Sequence, residues 1–251
     1  MKITASVVTY NSRNEITGVL ESLMSSVSVD LTVYVVDNAS TDDTVSYIRQ
    51  NYPNVVVLPS EKNLGYGGGH NIAINMVDSD YHVVINPDIK FQNDVLRKMY
   101  DYMEEHKDVV LLSPKILNSD GSEQFLPKRH PSFKYVLAGK LEEHGEIFRK
   151  WRSEYTRANE VISEPVEVDV CTGCFMFFRM DALKKCKGFD ELFFMYFEDF
   201  DLTRRVKQFG KAMFVPQISV EHEWKRENKS GKTSKIMISS FLKYMRKWKS
   251  M

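Results

Sequence analysis

Through the first half of the chain, short β-branched runs alternate with segments whose apolar residues recur at helical spacing. Ile3–Thr9, Leu31–Val36, Val55–Leu58 and Tyr81–Ile85 read as strands, each short and closed by polar residues. Ile16, Val19, Leu20 and Leu23 mark one face of a helix over about residues 14–27. Ser40 or Thr41 is placed to cap a second helix reaching about Asn51, with Asp42 and Asp43 in its favourable first turn. Asn63 to Gly69 reads as a glycine-rich loop and Ile72 to Val77 as a helix. Further on, the pattern predicts a helix near 93–105, a strand near 109–112 and a hairpin turn at Asp120-Gly121. A mixed, partly helical insertion over 127–165 follows, then regular structure from Val166 to Met180. A helix from about Glu198 to Gly210 and a strand near Ala212–Val215 complete the reading. Strands alternating with helices at this spacing make βαβ units, hence an α/β, Rossmann-like, mostly parallel central sheet flanked by helices. Ligands of such sheets collect at the carboxyl ends of the strands. Thr9-Tyr10-Asn11, Asp37-Asn38 and Asn86-Pro87-Asp88 all follow strands, so three loops converge on one candidate site.

Composition narrows the class. The 251 residues are 43% hydrophobic and 27% charged, an ordinary globular balance. The 34 Lys and Arg match the 34 Asp and Glu, which argues against whole-chain attraction to nucleic acid. No run approaches the roughly 20 apolar residues of a membrane-spanning helix. The N-terminus reads as a buried strand and not as a secretory signal. Three cysteines cannot all pair, which fits a reduced, cytoplasmic chain.

The neutrality is a cancellation. Residues 224–251 hold nine of the 34 basic residues and one of the 34 acidic ones, leaving 25 against 33 in 1–223. Within that tail Ile238, Phe241, Leu242, Met245 and Trp248 share one apolar helical face. A basic amphipathic helix over 233–249 suits an anionic membrane surface, which would make the protein peripheral at the membrane's inner face. The competing covers are its own domain or a second copy of the chain in a homodimer.

The candidate chemistry is a set of individually weak motifs. Asn63-Leu64-Gly65-Tyr66-Gly67-Gly68-Gly69 lacks both the Rossmann spacing and the Walker lysine. Its amides could approach a phosphate or ribose, or the glycines could serve a turn alone. Asp88, ending a hydrophobic strand, is placed either to bind a hard cation or to cap a turn after Pro87. Glu198-Asp199-Phe200-Asp201 is an acidic cluster at a helix start. There Glu198 and Asp201 share a face and are placed to bind Arg204 or Arg205. Asp199, about 100° away, is left to act as a base. Cys171-Thr172-Gly173-Cys174 has no second ligand pair for zinc, and the thiols are expected to pack as small apolar groups. His222 matters if the fold brings it to Asp88.

In order and spacing these pieces resemble the family 2 glycosyltransferases of the GT-A fold over residues 2 to about 224, most like bacterial rhamnosyltransferases of polysaccharide assembly. The carriers are Val7 to Asn11, Val35 to Asp42, Asn63-Leu64-Gly65, Asn86-Pro87-Asp88, Thr172-Gly173 and Phe189-Asp190-Glu191 leading into Glu198 to Leu202. The resemblance implies that Thr9, Tyr10, Asn11, Asp37, Asn38, Asn63 and Gly65 bind the nucleotide, with Asn86, Thr172, Gly173 and Glu198 also substrate-binding. It implies Asp199 as catalytic base, and Asp88 with His222 as ligands of Mg²⁺ or Mn²⁺. Asn86 stands where the family has an aspartate, which leaves the metal to Asp88 and the diphosphate.

On this basis 1–223 is expected to form a glycosyltransferase domain. Its nucleotide-binding half covers about 1–113 and its acceptor half about 114–223, and 224–251 is a basic tail. The expected reaction is inverting transfer from a nucleotide-diphosphate sugar, dTDP-L-rhamnose first, to a saccharide or polyprenyl-linked acceptor. An Asp with an ordinary pKa near ~4 would already be ionised for this task. The other readings are a UDP-hexose or UDP-galactofuranose donor, or a catalytically silent nucleotide-sugar binding module. Hydrolysis by the Glu198/Asp199 pair is disfavoured because adjacent carboxylates on a helix diverge.

Overall fold

The computed structural model describes residues 1–223 and 231–249. Nine strands form one sheet: β1 (Lys2–Thr9), β2 (Asp30–Asp37), β3 (Val56–Pro59), β4 (Tyr81–Ile85), β5 (Ile89–Lys90), β6 (Val109–Leu117), β7 (Val166–Glu167), β8 (Phe175–Arg179) and β9 (Lys211–His222). Their spatial order is β3-β2-β1-β4-β8-β6-β9-β5, with β7 also paired to β9. β1 to β4, β6 and β9 run one way and β5, β7 and β8 the other, so the sheet is mostly parallel. The helices are α1 (Ile16–Met24), α2 (Thr44–Asn51), α3 (Gly65–Met76), α4 (Val95–Glu105), α5 (Phe133–Leu141), α6 (Glu146–Thr156), α7 (Met180–Lys185), α8 (Glu198–Val206) and α9 (Gly231–Lys249).

The period-2 alternation of the strands divides the core. Ile3, Ala5 and Val7 of β1 and Tyr81, Val83 and Ile85 of β4 pack with α1 and α4 on one face. Thr4 and Ser6 point the other way, toward α3, and meet buried histidines. Ser6 Oγ lies 2.7 Å from His70 Nδ1 and 2.8 Å from His82 Nε2, and His82 Nδ1 lies 2.8 Å from Thr4 Oγ1. Burial pushes both imidazoles down, His82 to about 3, so both are neutral at physiological pH.

Four sequence expectations are corrected. The glycine run is not a loop but the first turns of α3, with Gly65 and Gly67 to Gly69 buried. A Cβ on Gly69 would stand 2.8 Å from both Val8 methyls, so α3 can lie this close to β1 only without side chains there. α2 begins at Thr44, with neither Asp42 nor Asp43 in its first turn. Asp42 Oδ1 instead accepts from the Thr44 N–H (3.1 Å), while Ser40 turns back to Asp37. The Asp120-Gly121 turn forms, but it closes onto the single Leu117–Glu123 bridge and not a full hairpin. β9 runs on to His222, well past Val215. It bulges on the way: Pro114 faces Val215 but Lys115 faces Ser219, leaving Pro216, Gln217 and Ile218 unopposed.

The C-terminal helix packs on its own domain. Phe241, Tyr244 and Trp248 of α9 are buried against Phe193, Phe197 and Phe200. Leu242, expected on that apolar face, points outward at 51% exposure. Trp248 Nε1 donates to Asp201 Oδ1 (2.9 Å), and Lys247 Nζ reaches the same oxygen at 2.6 Å. Trp224 to Lys229, the first part of the basic tail, lies outside the described residues. Among the described residues no helix is long and apolar enough to cross a membrane.

The buried histidines make stability depend on pH. Their folded pKa values lie below the unfolded one, so the unfolded chain binds the protons first and stability falls as pH drops below about 6.5. Replacing His82 with the uncharged His82→Asn should remove one such term. Urea melts should then show a loss between pH 6 and 5 smaller by about 1.4 kcal/mol per pH unit than in the parent. Identical pH dependence in both proteins would contradict the buried neutral imidazole.

Candidate active site

Three groups of residues meet at the carboxyl ends of the parallel strands. The first lies where β1 and β2 end. The chain leaves them through left-handed Asn11 (φ 55°) and Ala39 (φ 63°). Thr9 Oγ1 donates to Asp37 Oδ1 (3.0 Å), and Ser40 holds both oxygens of that carboxylate through its hydroxyl (2.5 Å) and its N–H (3.0 Å). Asn11 Oδ1 accepts from the Thr41 N–H (2.8 Å), and Tyr10 beside it is 54% exposed. Asn38 Nδ2 donates to the Gly65 carbonyl (2.9 Å), and the Gly65 N–H donates to Asn63 Oδ1 (2.8 Å). The start of α3 is thereby tied to the end of β2.

The second group owes its existence to a two-residue ladder. Ile89 pairs with His222 and Lys90 with Glu221, antiparallel, and the Glu223 N–H donates to the Asp88 carbonyl (3.0 Å). Asp88 Oδ1 consequently stands 3.2 Å from His222 Nε2. The juxtaposition that the sequence left open is present. Asn86 precedes it, its N–H bonded to the Cys174 carbonyl (3.0 Å).

The third group surrounds Asp199 in the first turn of α8. Asp199 Oδ2 accepts from the Gly173 N–H (2.9 Å) and Oδ1 from the Phe200 N–H (2.9 Å). Burial raises its pKa, opposed by the Gly173 hydrogen bond and the Lys128 ammonium. The expectation of an unperturbed carboxylate is therefore corrected, because only 8% of the residue is exposed. Glu198 is pushed up further, by burial and then by Asp199. It has no arginine partner: Asp201 alone takes Arg205 (2.7 Å), and Glu198 Oε2 is buried without a hydrogen bond. Burial thus disfavours the charged form of both adjacent carboxyl groups, and more strongly that of Glu198. Thr172 turns its hydroxyl to the Leu126 carbonyl (3.1 Å), so it braces the segment that carries Gly173. The neighbouring thiols of Cys171 and Cys174 are buried and free, and burial pushes Cys174 up to about 12, as packed apolar groups require.

Sequence reasoning missed three residues. The Tyr66 hydroxyl donates to the Gly173 carbonyl and lies within electrostatic reach of Glu198, Asp199 and Asp88, joining the second and third groups. Lys128 is the cation facing Asp199. Its ammonium lies 5.9 Å from the Phe200 ring, and burial pushes its pKa down. Gln124 contacts His222 through Nδ1 (3.1 Å). Tyr66 stands inside the glycine run that drew attention for its amides, and the other two lie at or just before the least periodic stretch of the chain.

Asp88 and His222 supply one carboxylate oxygen and one imidazole nitrogen, a donor pair that suits a divalent cation. Among the described residues no group of three or more His, Cys, Asp or Glu side chains is placed to hold a metal. Such an ion would take its remaining ligands from substrate and water.

Comparison with known proteins gives a consistent result. The family model for Glycosyl transferase family 2 matches residues 4–187. An N-acetylglucosaminyl-diphospho-decaprenol L-rhamnosyltransferase of Mycobacterium tuberculosis is 31% identical over 86% of this chain and 74% of its own length. The rhamnosyltransferase WbbL of Escherichia coli K12 is 27% identical over 72% of this chain and 70% of its own. Among solved structures, the mannosyltransferase PcManGT of Pyrobaculum calidifontis, in complex with GDP-Man and Mn²⁺, superposes with a TM-score of 0.65. It covers 98% of this chain and 64% of that one at 18% identity, a likeness of fold.

Gly65 is the position least able to accept a side chain. Its φ is +77° and a Cβ would sit 2.0 Å from the Phe194 carbonyl oxygen. Gly65→Ala should cost at least about 2 kcal/mol in denaturant unfolding. A change within 0.5 kcal/mol would show that the α3 start is not pinned as described.

Proposed function

The chain belongs to glycosyl transferase family 2 and is similar to bacterial rhamnosyltransferases, and from that premise we propose that it transfers a sugar from a nucleotide diphosphate with inversion. The observation that carries this reading is Asp199, a buried carboxylate held by two backbone N–H groups, with the Lys128 ammonium and the Glu198 carboxyl beside it. One such base is what an inverting displacement requires. Asp199 draws the proton from an acceptor hydroxyl as that oxygen attacks the anomeric carbon. The bond to the diphosphate breaks on the opposite side.

This reading gives the other residues their roles. Thr9, Tyr10, Asn11, Asp37 and Asn38 receive the base and ribose, with Asn63 and Gly65 setting the near wall. Asn86, Gly173 and Glu198 border the sugar, and Thr172 supports them. Asp88 and His222 would hold Mg²⁺ or Mn²⁺, which supplies positive charge for the leaving diphosphate. The relatives' names support an L-rhamnosyl donor and a polyprenyl-linked saccharide acceptor. The outward face of α9, with Lys235, Lys243, Arg246 and Lys249 exposed beside Leu242, supports contact with an anionic membrane that carries such an acceptor.

Asp199→Asn should lower transfer by at least about 100-fold while dTDP binding persists, read by product assay and calorimetry. Normal turnover would remove Asp199 as base. A second test concerns the ionisation of that base. The rate requires the anion, so kcat/KM rises with pH through the raised Asp199 pKa. Lys128→Met removes the charge that opposes the shift and should move this limb to higher pH; a limb that moves to lower pH would place the base elsewhere.

A further inference from the structure

Gln124 follows the Asp120-Gly121 turn and has no part in the roles above. Its contacts form a chain in which every hydrogen can be assigned from chemistry. The Ser122 hydroxyl gives its one proton to the Asp120 carboxylate (Oγ to Oδ1 2.5 Å), so it accepts from Asn118 Nδ2 (2.9 Å). That fixes the Asn118 amide with Oδ1 facing Gln124. Gln124 Nε2 donates to Asn118 Oδ1 (2.9 Å) and to the His222 backbone carbonyl (3.0 Å). Both are pure acceptors, so the Gln124 amide cannot be reversed. The atom left 3.1 Å from His222 Nδ1 is then Oε1, another pure acceptor. Nδ1 must carry the hydrogen.

The consequence falls on the other ring nitrogen. In the neutral Nδ1–H tautomer, Nε2 presents its lone pair, and it does so 3.2 Å from the Asp88 carboxylate oxygen. In that neutral form two electron-pair donors face each other and repel, and either a second proton on the ring or a metal ion beside them relieves the contact. We infer that Gln124 is a positioning residue for the metal site: it holds His222 in the tautomer that gives Nε2, together with Asp88, to a divalent cation. This rests on the metal reading proposed above and extends it to a residue outside the ligand pair. The turn at 118–122 is accordingly part of the site, and Gln124 links it to His222 through one oxygen and two N–H groups.

Two variants and two readouts test this. Gln124→Leu removes the acceptor, whereas Gln124→Glu keeps an acceptor oxygen for Nδ1–H and loses both donors. Mn²⁺ titrated into stoichiometric protein and dTDP, with bound ion followed by electron paramagnetic resonance, should bind about 10- to 100-fold more weakly to Gln124→Leu. Gln124→Glu should recover most of that loss. Long-range ¹H–¹⁵N spectra of the metal-free parent above neutral pH should show His222 as the Nδ1–H tautomer. A fall in melting temperature alone would not reproduce this pattern. Equal Mn²⁺ affinity in the parent and both variants overturns the role of Gln124 and leaves the metal reading standing. No Mn²⁺ binding by the parent overturns the metal reading itself and this inference with it. An Nε2–H tautomer in the parent overturns the inference without any variant having to fold.

Discussion

Ile89 and Lys90 hydrogen-bond antiparallel to His222 and Glu221, and the geometry of the site is set by that two-residue register. Side chains alternate along a strand, so a slip of one residue would turn His222 to the opposite face and leave Asp88 alone. Two devices hold the register. Opposite the Pro114–Lys115 step, the bulge at Pro216 to Ile218 in β9 absorbs three residues, after which pairing with β6 resumes at Ser219. Behind it, the Glu223 N–H closes onto the Asp88 carbonyl. A short strand is a fragile clamp by itself. The long β9, anchored along most of its length to β6, gives it a fixed edge to pair with.

Around Asp199 the problem is electrostatic. A carboxylate this deep loses water and is driven toward its neutral form, which cannot act as a base. The structure answers with the Gly173 and Phe200 N–H groups and with Lys128. Glu198 is pushed up further, by burial and by Asp199, with no cation among the causes that oppose the shift. Neighbouring carboxyl groups in one turn of α8 thus differ in how strongly burial disfavours their charge, and the Gly173 N–H and Lys128 make the difference at Asp199.

Most of the fold was legible because period-2 alternation and helical spacing report burial directly. Tyr81–Ile85 was located to the residue, and the polar loops after β1, β2 and β4 leave adjacent parallel strands at the same edge of the sheet. What failed did so for physical reasons. The Gly65–Gly69 run has the composition of a loop, yet β1 and the 189–194 segment press so closely on α3 that Gly65, Gly67 and Gly69 leave no room for a Cβ. The apolar face of α9 was drawn one position off because periodicity counts Leu242 and Tyr244 alike; the aromatic platform of Phe197 and Phe200 and the buried Asp201 choose Tyr244 and Trp248. Lys128 and Gln124 carry no local signal. Their meaning arises only from what the fold sets opposite them.

The segment from Asp190 to Phe197 is gripped from two sides. On one, the Phe194 carbonyl accepts the Tyr66 N–H (3.0 Å) at the head of α3. On the other, α9 holds Asp190 through Lys247, Leu192 through Lys243 and Met195 through Ser240. The same segment runs straight into Asp199. In a genetic screen for loss of transfer, lesions in this last helix would therefore score alongside lesions at Asp199, because α9 holds the segment that leads to it. Mapped on the linear gene they would look like a second functional domain; in three dimensions they are the back wall of the first.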